Sequence, residues 1–134
     1  QILALLAELK RDQGMAMVLV THDLGVVAGV ADRVAVMYGG RVVELGSVHS
    51  ILKGPQHPYT EALLRSMPRV DEPADQPLVT ISGQPPNPRE LPAGCAFHPR
   101  CSRASERCRN ERPLLQSGVR SAVACHHPVA EPLR

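Results

Sequence analysis

Aromatic residues are nearly missing from this 134-residue chain: it has no tryptophan, one phenylalanine (Phe97) and two tyrosines (Tyr38 and Tyr59). Proteins that grip single-stranded nucleic acid stack its bases on aromatic rings, so this scarcity counts against that class and no nucleic-acid partner is expected. Long apolar runs are missing as well. The longest, residues 2–7 and 15–20, have six members each, whereas a membrane-crossing helix needs about 20. No targeting segment is visible, which makes the cytosol the default compartment, and Gln1 opens inside a helical pattern, so the expectation is of a longer chain. The phosphate-cradling loop G-x-x-x-x-G-K-[ST] is absent, and by itself the chain has no means of holding a triphosphate. Finally, the first ninety-four residues contain no cysteine, and all four thiols fall in the last third.

What is present reads first as α/β. Ile2, Leu5, Leu6 and Leu9 repeat at helical spacing and Gly14 stands where a helix would stop. MAMVLV, residues 15–20, is a continuous apolar run of the kind that forms a strand buried on both faces. Thr21, His22 and Asp23 follow it, with Thr21 or Asp23 placed to cap a second helical stripe of Leu24, Val27, Ala28 and Ala31. Residues 34–38 and 41–45 flank Gly39-Gly40, a pair suited to the positive φ angles of a two-residue hairpin turn. Ser47 is placed to cap a short helix running to Lys53, and Pro58 suits the first turn of another that carries Leu63 and Leu64 and ends before Pro68. Residues 67–99 then hold eight prolines, so extended or turn structure is expected there.

Two constellations carry possible chemistry. In open α/β sheets ligands sit beyond the carboxyl ends of strands, and His22 lies at such an end just before a helix start. An imidazole there can donate to a phosphate oxygen or orient a water; on position alone a solvent-facing loop histidine is the stronger reading. Asp23 reads as a cap rather than a catalytic carboxylate.

The second constellation is Cys95, Cys101, Cys108 and Cys125, spaced C-x5-C-x6-C-x16-C. Four thiolates within about thirty residues suit a metal centre that staples a segment too poor in apolar residues to fold alone. The alternative is two disulfides, which a reducing compartment disfavours. No pair has the C-x2-4-C spacing usual for zinc, which tilts the expectation toward an iron–sulfur cluster with zinc as runner-up. Charge agrees. Between Cys95 and Cys125, Arg100, Arg103, Arg107, Arg109, Arg112 and Arg120 face only Glu106 and Glu111, a local excess able to offset an anionic cluster through hydrogen bonds to sulfur. His98, His126 and His127 remain possible substitutes in a mixed site, with four cysteines making them unnecessary.

At this point the residues resemble a known family, the ATP-binding subunits of oligopeptide, dipeptide and nickel ABC importers. The resemblance rests on VLVTHDLGVVAGVADRVAVMYGGRVVELG at 18–46, HPYTEALLRSMP at 57–68 and GCAFHPRC with its downstream cysteines. It implies the C-terminal part of a P-loop-type ABC nucleotide-binding domain over residues 1–53, an HPY helix and Pro-rich linker over 54–90, and a loop-rich, four-cysteine metal-binding extension over 91–134. It implies that His22 is the switch histidine contacting the γ-phosphate of ATP and poising the attacking water. The four cysteines then match those that hold a [4Fe-4S] cluster in some members.

The implied activity is ATP hydrolysis, with Mg, powering import of peptides or a related small solute. The implied partners are a second ATP-binding subunit, membrane permease subunits and, indirectly, an extracytoplasmic solute-binding protein. The implied place is peripheral, on the cytoplasmic face of the membrane. The phosphate loop, signature sequence and acidic strand-end motif of the family are not in these residues, so this stretch alone is expected not to hydrolyse ATP. A stand-alone metal-binding interaction module, zinc or iron–sulfur, is the competing expectation. Against it stands MAMVLV, a strand that needs neighbours.

Overall fold

The structure, a computed structural model, describes residues 2–67 and 80–130. These fall into two compact units, residues 1–32 and 33–134. The prolines at 68, 73 and 77 lie outside the described residues, so the extended structure expected there has no counterpart to compare.

In the first unit, α1 spans Ile2–Gln13 and stops at Gly14, whose φ is +63°. Lys10 pairs with Asp32. α2, Leu24–Val30, is capped by Asp23, whose carboxylate accepts from the amides of Gly25 at 2.8 Å and Val26 at 3.2 Å. The helix buries Leu24 and Val27. Ala28, expected on the same face, is exposed.

Residues 15–20 correct the sequence expectation: they form no strand, and Val18 and Val20 are each 93% exposed. A strand exists only through ladder hydrogen bonds to a neighbour, and among the described residues no strand pairs with this one. An apolar run supplies the faces of a buried strand and leaves the pairing to other segments.

The second unit is built on an antiparallel sheet in the order β1-β2-β4-β3. β1 (Arg33–Tyr38) and β2 (Arg41–Ser47) form the expected hairpin, with Gly39 at φ +55° and Gly40 at +73°. β1 alternates strictly, burying Val34, Val36 and Tyr38. β2 does not. The register slips between Val36 and Met37, so that Val36 faces Glu44 while Met37 faces Val42. Val43 is the extra residue of a bulge, and both Val43 and Glu44 are buried.

β2 runs into α3 (Val48–Lys53), where Ser47 caps the amide of Ser50 at 3.0 Å. α4 (Pro58–Arg65) begins on proline with His57 as its cap. After a short 3-10 turn at His98–Arg100 and α5 (Glu106–Asn110), two brief strands complete the sheet, β3 (Gln116–Ser117) and β4 (Ala122–Val123). β4 pairs with β2, Glu44 opposite Val123 and Leu45 opposite Ala122. The cysteine-bearing end of the chain is thereby hydrogen-bonded to the hairpin, so residues 33–53 and 91–130 share one compact unit.

The three aromatic residues of the whole sequence meet in this unit. Tyr38 and Tyr59 lie 4.6 Å apart by ring centroids, Tyr38 and Phe97 5.1 Å edge-on, and Tyr59 and Phe97 5.4 Å. One ring comes from β1, one from α4 and one from the loop before the 3-10 turn, which fixes those three segments against each other.

Candidate functional site

Cys95, Cys101, Cys108 and Cys125 line a single small cavity. Each arrives from a different local device. Gly94, at φ +67°, lets the chain approach so closely that a Cβ there would lie 2.4 Å from the Cys108 carbonyl. That approach allows the Cys95 amide to bond the same carbonyl at 2.8 Å. Cys101 ends the 3-10 turn, Cys108 sits inside α5, and Cys125 follows β4. Pairing of β4 with β2 is thus what carries the distant fourth cysteine to the other three.

The thiols are free and three of them are hard to ionise. Burial raises Cys95 above the usual thiol range, and the neighbouring Cys108 and Cys101 add to the effect. Cys101 is raised by burial and by Cys108. Cys125 is pushed up to about 12, by burial first and then by Cys95, Cys101 and Cys108. That mutual influence shows four sulfurs in one neighbourhood. Opposing it at Cys125 is the amide of His127, which donates to the sulfur at 3.3 Å. The Ser105 hydroxyl lies 3.6 Å from the Cys108 sulfur. Amides pointed at thiols favour the anionic, ligating form, and a bound cation removes the remaining barrier to ionisation. Among the described residues, however, no group of three or more His, Cys, Asp or Glu side chains is arranged to hold a metal ion.

The arginines correct another expectation. Among the described residues Arg103 is the only arginine that lines the cavity, and no guanidinium bonds a sulfur. Arg120 instead donates to the carbonyls of Gly54, Val129 and Ala130, and Arg100 to those of Ile81 and Ser82 and to the Tyr38 hydroxyl. Arg107 pairs with Glu111. A segment with little regular structure leaves many carbonyls without ladder partners, and the arginine forks satisfy them. His98, His126 and His127 do line the cavity, each with one ring nitrogen engaged: by the Cys95 carbonyl, the Glu111 carbonyl and the Ser105 hydroxyl respectively.

Two residues of this region gave no sign of their role in the sequence. Glu44 has no exposed surface and accepts from the amides of Gln56 at 2.7 Å and His57 at 3.0 Å and from the Ser121 hydroxyl at 2.6 Å. His57, only 1% exposed, caps α4 by accepting from the Tyr59 amide at 3.0 Å and also lines the cysteine cavity. Burial lowers its pKa to about 4, with the Ala124 carbonyl opposing the shift. The dipeptide His57-Pro58 announces a helix start, but nothing local to it announces a cavity formed by residues 95–125.

His22 belongs to the other unit, residues 1–32. It is exposed, immediately ahead of α2, and its neighbour Asp23 is occupied as the cap, with the Thr21 hydroxyl accepting from the Asp23 amide at 3.0 Å. The strand that was expected to present His22 is not formed.

Comparison with known proteins accounts for both halves of the chain. Residues 43–108 match the family described as oligopeptide/dipeptide transporter, C-terminal region. The chain is 47% identical over 131 residues to the oligopeptide transport ATP-binding protein OppD of Salmonella typhimurium, covering 98% of this chain and 39% of that protein. It is 44% identical over 132 residues to the dipeptide transport ATP-binding protein DppD of Escherichia coli, covering 96% and 39%. A putative peptide import ATP-binding protein of Brucella ovis is 50% identical over 122 residues, covering 87% and 36%. The chain therefore spans about two fifths of the length of the curated relatives it matches, and nothing in these matches supports a stand-alone metal-binding module. With similarity running through the unit of residues 1–32 and on through the cysteine region, the chain is similar throughout to part of the oligopeptide and dipeptide transport ATP-binding proteins and carries the match to the transporters' C-terminal region.

Proposed function

We propose that this chain is part of the subunit whose ATP hydrolysis, with Mg, drives import of peptides or a related small solute. The observation that carries the proposal is the unbroken similarity over 98% of the chain to an oligopeptide transport ATP-binding protein. In this reading residues 1–53 close a P-loop-type ATPase core, 54–90 carry the HPY helix and linker, and 91–134 form the four-cysteine extension. The subunit acts as a dimer with a second ATP-binding subunit, docked on permease subunits at the cytoplasmic face of a membrane. The described residues contain no helix long and apolar enough to cross a membrane, which accords with a peripheral place. A solute-binding protein on the other side delivers the cargo.

His22 is assigned to the γ-phosphate of ATP. Its exposure and its place just ahead of a helix N-terminus leave the imidazole free to donate to a phosphate oxygen or to hold the attacking water. The acid-capping neighbour Asp23 keeps the turn rigid and takes no part in chemistry.

Cys95, Cys101, Cys108 and Cys125 are assigned to a [4Fe-4S] cluster. The donor set fits: four cysteines line one cavity, with the His127 amide at Cys125 and the Ser105 hydroxyl beside Cys108. The spacing C-x5-C-x6-C-x16-C, without the close pair usual for zinc, favours a multi-iron body. Bound there, a cluster would crosslink four points of a segment whose strands are two residues long.

The test uses the full-length subunit purified anaerobically. Iron, sulfide and zinc analysis with visible absorption is expected to give a brown protein with about four irons per chain; a colourless protein with one zinc refutes the cluster. In the same preparation His22→Ala is expected to abolish ATP turnover while ATP binding persists, and undiminished turnover removes His22 from the mechanism.

A further inference from the structure

The hydrogen bonds of His57 determine where its ring proton sits. Its Nδ1 accepts from the Tyr59 amide at 3.0 Å, and an accepting nitrogen carries no proton, so the ring is neutral and its N–H is Nε2. That Nε2 is buried and, among the described residues, has no hydrogen-bond partner. The Ala124 carbonyl is near enough to favour a charged ring but makes no hydrogen bond with it. A buried donor left unpaired costs about 1–3 kcal/mol, and native proteins seldom leave one without a reason. The other unpartnered buried atom, Thr60 Oγ1, belongs to a residue that does not line the cysteine cavity, whereas His57 does.

The ring is held from three sides. Its backbone amide is fixed to Glu44 at 3.0 Å, Nδ1 is fixed to the helix it caps, and its face lies 6.0 Å from Phe97 by ring centroids. With 1% of the residue exposed, bulk water does not satisfy the donor. The four cysteine sulfurs share the cavity that His57 lines. Cys125 already receives the His127 amide at 3.3 Å, and the Ser105 hydroxyl lies 3.6 Å from Cys108, so donors for sulfur are already present in the cavity.

We infer that His57 is a side-chain hydrogen-bond donor to the sulfur centre enclosed by the four cysteines, through Nε2–H, and thus a positioning residue for that centre. This rests on the cluster assignment made above. One imidazole then performs two tasks: Nδ1 starts α4 and Nε2 ties that helix start to the extension. A hydrogen bond to sulfur stabilises the more negative, reduced state and raises the reduction potential.

Two substitutions separate the tasks. His57→Asn keeps an acceptor near the place of Nδ1 and lacks the far donor; His57→Gln reaches the place of Nε2 with an amide N–H and gives up the cap. Full-length subunit, loaded with iron and sulfide anaerobically, is compared by midpoint potential and by the rate of iron loss to a chelator. His57→Asn is expected to shift the potential downward and to lose iron about tenfold faster, with His57→Gln restoring much of both. In wild-type protein carrying 15N-histidine, the Nε2–H resonance of His57 is expected to move when the cluster is loaded, a readout that needs no variant to fold. A His57→Asn protein that is loaded and matches wild type in potential and loss rate overturns the inference, as does an unmoved Nε2–H resonance. Wild-type protein that takes up no iron and sulfide refutes the cluster assignment instead, before any variant is compared.

Discussion

Glu44 has no exposed surface, yet it accepts three hydrogen bonds from residues twelve, thirteen and seventy-seven positions away. It joins the hairpin to the amides ahead of α4 and to the hydroxyl beside β4. Gln56 extends the same network, its side-chain carbonyl accepting from the amides of Arg120 and Ser121. Glu44→Ala removes an acceptor shared by two buried amides and a hydroxyl, so it is expected to destabilise the unit of residues 33–134 by about 3 kcal/mol or more. Urea unfolding followed by circular dichroism measures it. A loss under about 1 kcal/mol, the net worth of an ordinary hydrogen bond, excludes the network as a main tie. Nothing in the local sequence RVVELGS marks Glu44 as buried. Strict alternation from the buried Val43 would turn the next residue outward, and the bulge at Val43 brings Glu44 in instead.

At the scale of elements, the hairpin shows what local chemistry can dictate. Gly39-Gly40 sets two positive φ angles, the turn fixes the register, and two strands follow. The two glycines differ in surroundings: a Cβ at Gly40 meets nothing within 4 Å, whereas one at Gly39 lies 3.2 Å from Ala96 and 3.3 Å from Leu91. Gly40→Ala is therefore expected to cost about 1–2 kcal/mol from backbone strain alone. Gly39→Ala is expected to cost more, because it also presses on the loop that leads to Cys95. Equal losses in parallel thermal melts contradict the packing of that loop on the turn. Helix starts were legible for the same local reason: Ser47, Asp23 and Pro58 act within three residues of themselves. The run MAMVLV was misleading because apolarity is local while a ladder is not, and Val18 and Val20 stand exposed.

For the whole molecule, the scarcity noted at the outset becomes an economy of placement. Three aromatic rings are few, and the two tyrosines pack against Phe97, which lines the cysteine cavity. β3 and β4 are two residues long, so the extension depends on side-chain ties such as Arg120 to Gly54, Val129 and Ala130 and on whatever the thiols bind. Stripping iron anaerobically from loaded full-length subunit is expected to lower its unfolding temperature by several degrees and to open residues 91–130 to proteolysis, because a ligand held only by the native state stabilises it by mass action. An unchanged melting temperature after proven iron loss rules out the staple role.

The sequence by itself determined the helix caps, the hairpin and its turn, the set of four cysteines and, through three ordered blocks of residues, the resemblance to the transporter family. Each of these depends on residues close together along the chain, or on identity at given positions. Only the tertiary structure decided that the thiols converge on one cavity, that the arginines serve carbonyls rather than sulfur, that Glu44 is buried, and that the helix cap His57 lines the same cavity as the cysteines. Those outcomes require β4 to lie against β2 and residues far apart in sequence to close around one another. Such contacts are selected by the free energy of the assembled core and leave no mark in the spacing of neighbouring residues.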